Sequence, residues 1–397
     1  MNLLTYEEAC EAIVGALPTP GTETVAEEDL AGRALAESVY AIRPVPPFTN
    51  SAVDGYAVGN EEDAEPGSAL SVSGVSAAGD APPPNIPRGA ALRVFTGSPL
   101  PENVFGVAMQ EDVAITGGGA ILGEPVPTGH HVRRLGADFD AGELLLSPGV
   151  TLGPGNLALL ASQGIVEARV FTRVRVTILT TGDELVPPSV KPKPWQQHDS
   201  NTLMLESQVR SAGAVIVSAM TEIDDRGAIL DRIRAASEIS AIVLVSGGAS
   251  VGEHDHVASA AAELGQVILH GVSVKPGKPF LAGKVGDAIL FGLPGNPASA
   301  FVCFEIFVRE AIRRLGGHGR LALRWVPVCY LDSHSRSDRD VFVRCQSGLE
   351  SGRLVARSVH EQGSFSVRSL GAADMLVRVP ANVDHAVGDT RLGLLID

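Results

Sequence analysis

Residues 290–300 read Leu-Phe-Gly-Leu-Pro-Gly-Asn-Pro-Ala-Ser-Ala, an apolar run that breaks at Gly295, Asn296 and Pro297 before a long apolar segment. This pattern predicts a strand that ends at the start of a helix. Pro297 suits the first helical position, where a missing N–H costs nothing. The free amides there, together with the helix dipole, attract an anion. The stretch therefore predicts an anion-binding loop.

Two further apolar runs end in polar, glycine-containing turns of the same kind. They lead into Ser246-Gly247-Gly248-Ala249-Ser250 and into Thr180-Thr181-Gly182-Asp183-Glu184. Ligands of parallel sheets collect beyond the carboxyl ends of the strands. The three turns therefore predict one shared phosphate-binding rim.

The overall charge restricts the kinds of partner. Lys and Arg number 31 against 46 Asp and Glu, a net charge of −15. Such a balance disfavours sequence-independent binding to nucleic acid or to anionic membranes, so we expect neither partner. An anionic ligand would need cations concentrated locally. At 397 residues, roughly two to four domains are expected.

Cysteine usage and the N-terminus bear on the compartment. The 4 cysteines are scattered without a Cys-x-x-Cys pair, which disfavours a disulfide framework or a thiolate zinc site and indicates a reducing cytoplasm. The first residues lack the basic and apolar regions of a signal peptide. No apolar run approaches the ~20 residues of a membrane span. We therefore expect neither secretion nor membrane insertion.

The chain changes character along its length. Residues 5–17 predict a helix in which Thr5 and Glu8 form a capping box. Residues 45–137 predict a β-rich module with a loop at 81–85. From residue 173, alternating strand and helix patterns predict a parallel sheet covered by helices. The segments lie at 174–179, 203–212, 215–219, 226–237, 241–245, 257–264, 267–269, 288–293 and 298–315.

Beyond Gly316 the helical patterns stop, and short strands predict a terminal β-domain. These strands lie at 326–331, 340–344, 353–358 and 375–379. On this domain Arg344 and Ser364 offer a guanidinium and a hydroxyl to an oxyanion, although each alone is typical of an ordinary surface residue.

Two lysines stand three residues apart in Lys275-Pro276-Gly277-Lys278-Pro279, a segment that two prolines stiffen. An oxyanion could lie between the two ammonium groups. The alternative is a solvated turn, because lysines are mostly exposed. The acidity of the chain and the neighbouring anion-binding turns favour the oxyanion site.

Carboxylates follow two of the predicted strands, at Asp183 with Glu184 and at Asp224 with Asp225, and others stand in Asp199-Ser200-Asn201 and at Asp255, the end of the loop at 248–255. Carboxylates that converge on phosphates need a divalent cation between them, most naturally magnesium. The alternative for each is helix capping. His254 and His256 bracket Asp255, which is weak evidence for zinc. Asp54 lies in a polar turn at residues 50–57, which alone predicts only a turn entering a strand.

Taken together, these segments resemble the molybdopterin molybdenumtransferase family, MoeA in bacteria and the gephyrin E domain in animals. The matching pieces lie, in order, at 50–57, 96–101, 134–138, 181–185, 199–201, 246–255, 275–279, 292–300 and 362–364. The resemblance implies an α/β plus β fold in an elongated multidomain chain. It implies a parallel-sheet α/β domain (1–24 and 174–322), a linking and dimerisation domain (25–46 and 138–173), a β-rich module (47–137) and a C-terminal small β-barrel (323–397).

The resemblance also implies a reaction: adenylylated molybdopterin and molybdate are converted, with Mg²⁺, into molybdenum cofactor and AMP. The site would lie between the subunits of a cytoplasmic homodimer, which could also contact the adenylylating enzyme and acceptor molybdoenzymes. Pterin phosphate and nucleotide would be bound by Thr181, Gly182, Asp199, Ser200, Asn201, Ser246, Gly247, Gly248, Ser250, Pro294, Gly295, Asn296, Pro297 and Ser299.

The remaining roles concern metal, hydrolysis and molybdate. Metal and hydrolysis would fall to Asp183, Glu184, Asp224 and Asp255. The partner subunit would supply Asp54, Thr96 and Asp138. Molybdate would contact Lys275, Lys278, Pro279, Arg344 and Ser364, with both lysines also acting in the reaction.

The chain departs from the family pattern after Leu100-Pro101, where Asn103-Val104-Phe105 replaces the usual Gly-Ala-Asp turn. An acidic group is therefore missing from the β-rich module at this turn, which bears on what the module contributes to a partner subunit near Glu111. Two other functions stay open: adenylylation of molybdopterin, because the α/β domain also resembles the adenylylating family, and a non-catalytic dimeric scaffold of the gephyrin type. The intact acidic set and the lysine pair favour the transferase.

Overall fold

The computed structural model describes residues 3–117, 119–248, 256–319, 325–359 and 361–396. The chain divides into two units. One comprises Met1–Glu37, Pro148–Ala158 and Ile165–Asp397, and the other comprises Ser38–Ser147 and Leu159–Gly164. In the described part of the chain, no helix is long and apolar enough to cross a membrane.

The first unit opens with helix Tyr6–Ala16. Its predicted capping box is confirmed: Glu8 N donates to Thr5 Oγ1 at 3.3 Å, and Thr5 N donates to Glu8 Oε2 at 2.8 Å. Ala9 and Ile13, one turn apart, are buried in the core of the α/β domain. The helix is thereby fixed both at its start and along one face.

A six-stranded sheet forms the centre of the α/β domain. Its strands, in spatial order, are Val215–Glu222, Arg175–Thr181, Ile242–Ser246, Ala288–Leu293, Leu281–Val285 and Gln266–His270. The first four run parallel, as predicted. The strand Leu281–Val285, which the sequence patterns did not predict, pairs antiparallel with both neighbours. That strand forms a tight hairpin through Gly286, whose φ is +58°.

Helices cover both faces of this sheet. They are Asn201–Ser211, Arg226–Ile239, His256–Leu264, Pro297–Cys303 and Arg309–Leu315, with a π-helical turn at Phe304–Val308 joining the last two. A further helix is Pro154–Ser162. Along one strand, Leu244 packs into one core cluster and its neighbours Val243 and Val245 into the other. Burial of both faces explains why these strands read as continuous apolar runs.

The C-terminal strands close into a five-stranded barrel. In order around it they are Asp340–Glu350, Arg353–Ser358, Trp325–Tyr330, Thr390–Leu395 and Met375–Val379, and the last pairs back with the first. Closure leaves no unpaired edge between these strands. The short strand Val274–Lys275 adds to Asp340–Glu350 in parallel. Two other pairs in this unit are Thr22–Ala26 with Glu167–Phe171 and Leu185–Val186 with Gln197–His198.

The expectation that helices stop after Gly316 is wrong, because Val367–Ala372 is helical. The Ser366 hydroxyl caps this helix by accepting from Ser369 N at 3.3 Å. Its six residues are too few to show a helical repeat in the sequence. Thr390–Leu395 was also not predicted as a strand.

The second unit is a β-rich module, as predicted. Its six-stranded sheet has the order Gly106–Met109, Gly55–Val58, Ala90–Val94, Ala69–Ser76, Gly119–Leu122 and Val113–Thr116. Smaller pairs are Asn50–Ser51 with Val132–Arg133 and Val39–Tyr40 with Leu144–Leu146. Short 3₁₀ turns lie at Glu27–Asp29 in the first unit and at Glu62–Ala64 and Gln110–Asp112 in the second.

A buried ion pair lies where the π turn meets the last helix of the α/β domain. Arg309 Nε donates to Glu305 Oε2 at 2.6 Å, and both side chains are almost fully buried. Gln208 Nε2 donates to Glu305 Oε1 at 2.7 Å, and Arg309 also donates to Ser211 Oγ at 2.9 Å. The pair therefore ties helix Asn201–Ser211 to the helical segment that follows Pro297.

We predict that Glu305→Ala lowers the free energy of unfolding by about 3–5 kcal/mol, because it leaves the Arg309 charge buried and unpaired. Urea denaturation followed by circular dichroism measures the change. The matched control is Glu310→Ala, which removes a pair with the half-exposed Arg314 at the same spacing and should cost less than about 1 kcal/mol. Equal losses in the two variants would contradict the prediction.

Candidate functional site

Three of the parallel strands end side by side. Thr180 is in register with Ser246, and Ser246 is in register with Leu293. A Cβ on Gly247 would lie 2.4 Å from the Thr181 carbonyl oxygen, so the loops approach closely where glycine stands. The three turns thus lie at one edge of the sheet, and phosphate binding there stays a prediction.

The Asn201 side chain joins these strand ends. Its Nδ2 donates to Ser246 Oγ at 2.9 Å and to the Gly295 carbonyl oxygen at 2.8 Å. The residue is buried at the start of helix Asn201–Ser211. The amide therefore fixes both glycine turns relative to that helix.

A cavity of about 630 Å³ opens above the rim, and we call it the glycine pocket. Most of the predicted phosphate- and nucleotide-binding residues line it: Thr181, Gly182, Asp199, Ser200, Asn201, Ser246, Gly247, Gly248, Gly295, Asn296 and Pro297. Glu184 and Asp224, which were predicted for metal and hydrolysis, line it as well. The remaining walls come from Leu185, Gln197, His198, Phe365 and Val367, which the sequence reasoning missed. Phe365 and Val367 directly follow the Gln362-Gly363-Ser364 motif, the one signal that could have found them.

Two buried polar atoms on the walls of the glycine pocket have no hydrogen-bond partner among the residues that the structure describes. They are Thr181 Oγ1 and Asn201 Oδ1. A buried polar atom without a partner is unfavourable by about 1–3 kcal/mol. A ligand with both donors and acceptors in this pocket would relieve that cost.

Asp199 is held at the edge of the pocket by hydroxyl groups. It is 5 % exposed and accepts from Thr202 Oγ1 at 2.6 Å, Thr180 Oγ1 at 2.8 Å and Thr221 Oγ1 at 3.1 Å. Thr202 N donates to it at 3.0 Å as well. Burial alone would raise the pKa of Asp199, but these hydrogen bonds outweigh it and lower the pKa below the usual value.

A second cavity of about 610 Å³ lies beside the first, and we call it the lysine pocket. Its cations are Lys275, Lys278, Arg339 and Arg344, and no described residue that lines it carries a carboxylate. The other walls come from Pro276, Gly277, Pro279, Pro294, Asn296, Ser299, Tyr330, Ser333, His334, Val341, Phe342, Val343, Ser358, Gln362, Gly363 and Ser364. In a chain of net charge −15, this local excess of cations indicates an anion site.

Arg344 is fully buried, so the surface interpretation of this residue is wrong. Its Nε donates to Ser369 Oγ at 2.8 Å and one terminal nitrogen donates to the Gly363 carbonyl oxygen at 3.0 Å. The other terminal nitrogen, Nη1, has no hydrogen-bond partner among the described residues. Burial lowers the pKa of the guanidinium. A planar donor held this rigidly is suited to an oxyanion.

The backbone holds the two lysines at the mouth of this pocket. Lys275 pairs with Val341 of the barrel, and the Lys278 carbonyl oxygen accepts from Val272 N at 3.0 Å. Both side chains are exposed and line the cavity. Pro294 and Ser299 line this pocket rather than the glycine pocket, where the resemblance had placed them. Sequence reasoning missed Arg339, which had no motif around it.

The carboxylates divide into different roles. Asp225 caps helix Arg226–Ile239 by accepting from Ala228 N at 2.9 Å, as the capping alternative proposed. Asp183 Oδ1 accepts from Asp224 N at 3.2 Å, so these two residues are neighbours.

Among the residues that the structure describes, no three His, Cys, Asp or Glu side chains group to hold a metal. Ser250, His254 and Asp255 lie outside the described residues.

Three predicted residues lie in the second unit. Asp54 Oδ1 accepts from Thr96 N at 2.7 Å and from Thr96 Oγ1 at 2.9 Å, which lowers the pKa of Asp54. Asp138 N donates to the Val45 carbonyl oxygen at 2.9 Å. The structure thus joins Asp54 to Thr96, and their arrival from a partner subunit stays a prediction.

Three family descriptions cover most of the chain in order. Residues 4–164 match the MoeA N-terminal region (domain I and II), residues 177–314 a probable molybdopterin binding domain, and residues 329–390 the MoeA C-terminal region (domain IV). The molybdopterin molybdenumtransferase of Haemophilus influenzae is 35% identical over 79% of this chain and 78% of its own length. The chain belongs to the molybdopterin molybdenumtransferase family, also called the MoeA family.

Other relatives agree with this membership. The molybdopterin molybdenumtransferase 2 of Mycobacterium tuberculosis is 36% identical over 91% of each chain. A crystal structure of a molybdopterin biosynthesis MoeA protein from Pyrococcus horikoshii superposes with a TM-score of 0.82 at 31% identity, covering 99% of each chain. As a MoeA family enzyme, the chain acts in molybdenum cofactor biosynthesis.

We predict an acid-sensitive contribution to stability from Asp199. Because the folded pKa lies below the unfolded value of 3.8, the carboxylate stabilises the fold above that pH. The contribution is lost as the pH falls through the folded pKa. Urea midpoints measured from pH 6 to pH 2 should therefore fall less steeply for Asp199→Asn than for the unsubstituted protein. Parallel pH profiles would refute this.

Proposed function

We propose that the chain inserts molybdate into adenylylated molybdopterin and hydrolyses the adenylate, releasing AMP and molybdenum cofactor. The observation that carries this proposal is the lysine pocket. Four cations and no carboxylate line it among the described residues, and it shares a wall residue, Asn296, with the glycine pocket. An oxyanion and a phosphate-bearing ligand could therefore bind next to each other.

The glycine pocket suits the phosphates and the ring of the organic substrate. Gly247 and Gly248 line this pocket and carry no side chain, so their backbone can approach phosphate oxygens closely. Asn201 Oδ1 can accept a hydrogen bond from such a ligand, and the Thr181 hydroxyl can donate or accept one. Phe365 and Val367 supply an apolar wall against which a flat ring can pack.

The lysine pocket suits molybdate as the second substrate. Lys275 and Lys278 at the mouth and Arg344 at the buried wall can donate charge-assisted hydrogen bonds to its oxygens, with Pro279 and Ser364 completing the contacts. The pterin's own dithiolene carries the two sulfurs that take up molybdenum. A protein thiolate is not needed, in keeping with the raised pKa values of the buried Cys303 and Cys345 and their absence from the walls of both pockets.

We propose that the reaction also uses Mg²⁺, held by a small set of carboxylates. Asp183 and Asp224 are adjacent, and Mg²⁺ is often held by one or two carboxylates together with substrate phosphates. Glu184 lines the same pocket, and Asp255 completes the predicted set. When bound, the ion would neutralise charge on the phosphoanhydride. The carboxylates themselves can orient the attacking water.

We propose further that the active protein is a cytoplasmic homodimer with the four-domain division that the resemblance implies. Asp54, Thr96 and Asp138 of one subunit would then complete the site of the other. The double hydrogen bond from Thr96 keeps Asp54 ionised and fixes one of its oxygens. Contacts with the adenylylating enzyme and with acceptor molybdoenzymes belong to the same proposal.

We predict that Lys275→Ala and Lys278→Ala each weaken molybdate binding about tenfold or more, because each removes a charge-assisted hydrogen bond worth about 1.5–3 kcal/mol. Isothermal titration with sodium molybdate measures the affinity. Molybdate-dependent release of AMP from adenylylated molybdopterin should fall in parallel.

The control variants are Lys191→Ala and Lys193→Ala, exposed lysines that line neither pocket. They should leave both the affinity and the AMP release unchanged. If the unsubstituted protein released no AMP in response to molybdate, the insertion proposal would be wrong. Turnover of ATP with unadenylylated molybdopterin would instead favour the adenylylation alternative.

A further inference from the structure

One thin partition separates the two pockets. It is built from two segments: residues 294–299, which lead from a strand into helix Pro297–Cys303, and residues 362–367, which lead into helix Val367–Ala372. In the loop, Ser364 faces the lysine pocket while Phe365 faces the glycine pocket. Ala298 N donates to the Ser364 carbonyl oxygen at 3.0 Å, which joins the two segments.

Asn296 has an unusual arrangement for its position. It is the N-cap residue of helix Pro297–Cys303, where an asparagine side chain ordinarily accepts from a backbone N–H of the first turn. Within the described residues the Asn296 side chain makes no such bond to its helix. Its Nδ2 instead donates to Ser364 Oγ at 3.3 Å, across the partition.

We propose that Asn296 is a positioning residue for the oxyanion, acting through the Ser364 hydroxyl. This inference rests on the proposed function, which places molybdate in the lysine pocket. A hydroxyl has one proton to donate and two lone pairs. When Asn296 Nδ2 occupies a lone pair of Ser364 Oγ, the Ser364 proton is left to donate into the lysine pocket.

The position of Ser364 fits this role. Its backbone is fixed by Ala298, and its neighbour Gly363 accepts from the buried Arg344 guanidinium. Ser364 on the loop and Arg344 on the barrel strand Asp340–Glu350 are therefore fixed relative to each other, so both can contact the same oxyanion. Without Asn296 the Ser364 hydroxyl can rotate freely, so it donates to the oxyanion in only one of several orientations.

A double-mutant cycle tests the proposal, with isothermal titration of sodium molybdate as the measurement. We expect Ser364→Ala to weaken binding about 10-fold or more and Asn296→Ala about fivefold. In the Ser364→Ala background, Asn296→Ala should weaken binding less than twofold, because the group it orients is gone. Additive losses, or no loss from Asn296→Ala alone, would overturn the proposal.

A second experiment keeps a hydroxyl at residue 364 and thereby distinguishes a positioning role of Asn296 from a merely structural one. In a Ser364→Thr background, Asn296→Ala should again weaken binding about fivefold. Loss of the effect in that background counts against the proposal. Because Asn296 does not cap its helix, Asn296→Ala should leave the melting temperature nearly unchanged. If the alanine variant does not fold, Asn296→Gly replaces it, since glycine is tolerated at N-caps.

The two proposals fail in distinguishable ways. If the unsubstituted protein does not bind molybdate, the function proposed above is wrong and this inference falls with it. If molybdate binds and Lys278→Ala weakens that binding but the Asn296 and Ser364 effects are additive, only the positioning role is wrong.

Discussion

The geometry of the site depends on one side-chain amide. Asn201 donates to Ser246 Oγ and to the Gly295 carbonyl oxygen, so it holds the ends of two parallel strands against the start of a helix. The register between Ser246 and Leu293 brings these ends to the same edge. The amide thereby ties the two glycine turns together in addition to the hydrogen bond that Gly247 N donates to the Leu293 carbonyl oxygen. Parallel pairing and this amide together create a single pocket from separate turns.

Charge is the second constraint on this chain. A protein of net charge −15 repels oxyanions at long range, so an oxyanion site needs a local reversal of sign. The lysine pocket has this local excess of positive charge because cations line it and none of its described wall residues carries a carboxylate. Arg344 contributes a charge that its neighbours Ser369 and Gly363 hold in place. The barrel thus supplies one rigid wall of the oxyanion site, and the edge of the α/β sheet supplies another.

Several elements could be predicted because their signals are local. The capping box at Thr5 and Glu8 lies within four consecutive residues, and Pro297 marks the first turn of its helix. The strand Leu281–Val285 and the helix Val367–Ala372 escaped prediction. Both are short, so neither shows a repeat, and the helix in addition packs against helix Pro297–Cys303, which is distant in sequence.

The sequence by itself determined the fold class, the family and the residue types of the site, because apolar runs that end in glycine turns and a lysine pair are patterns within short segments. Only the tertiary structure decided that there are two adjoining pockets, that Arg344 is buried, and that Asn296 reaches Ser364 rather than its own helix. The physical reason is that these facts arise from contacts between segments that are distant in sequence, such as those of Asn296 and Ser364, whose closeness no local pattern encodes.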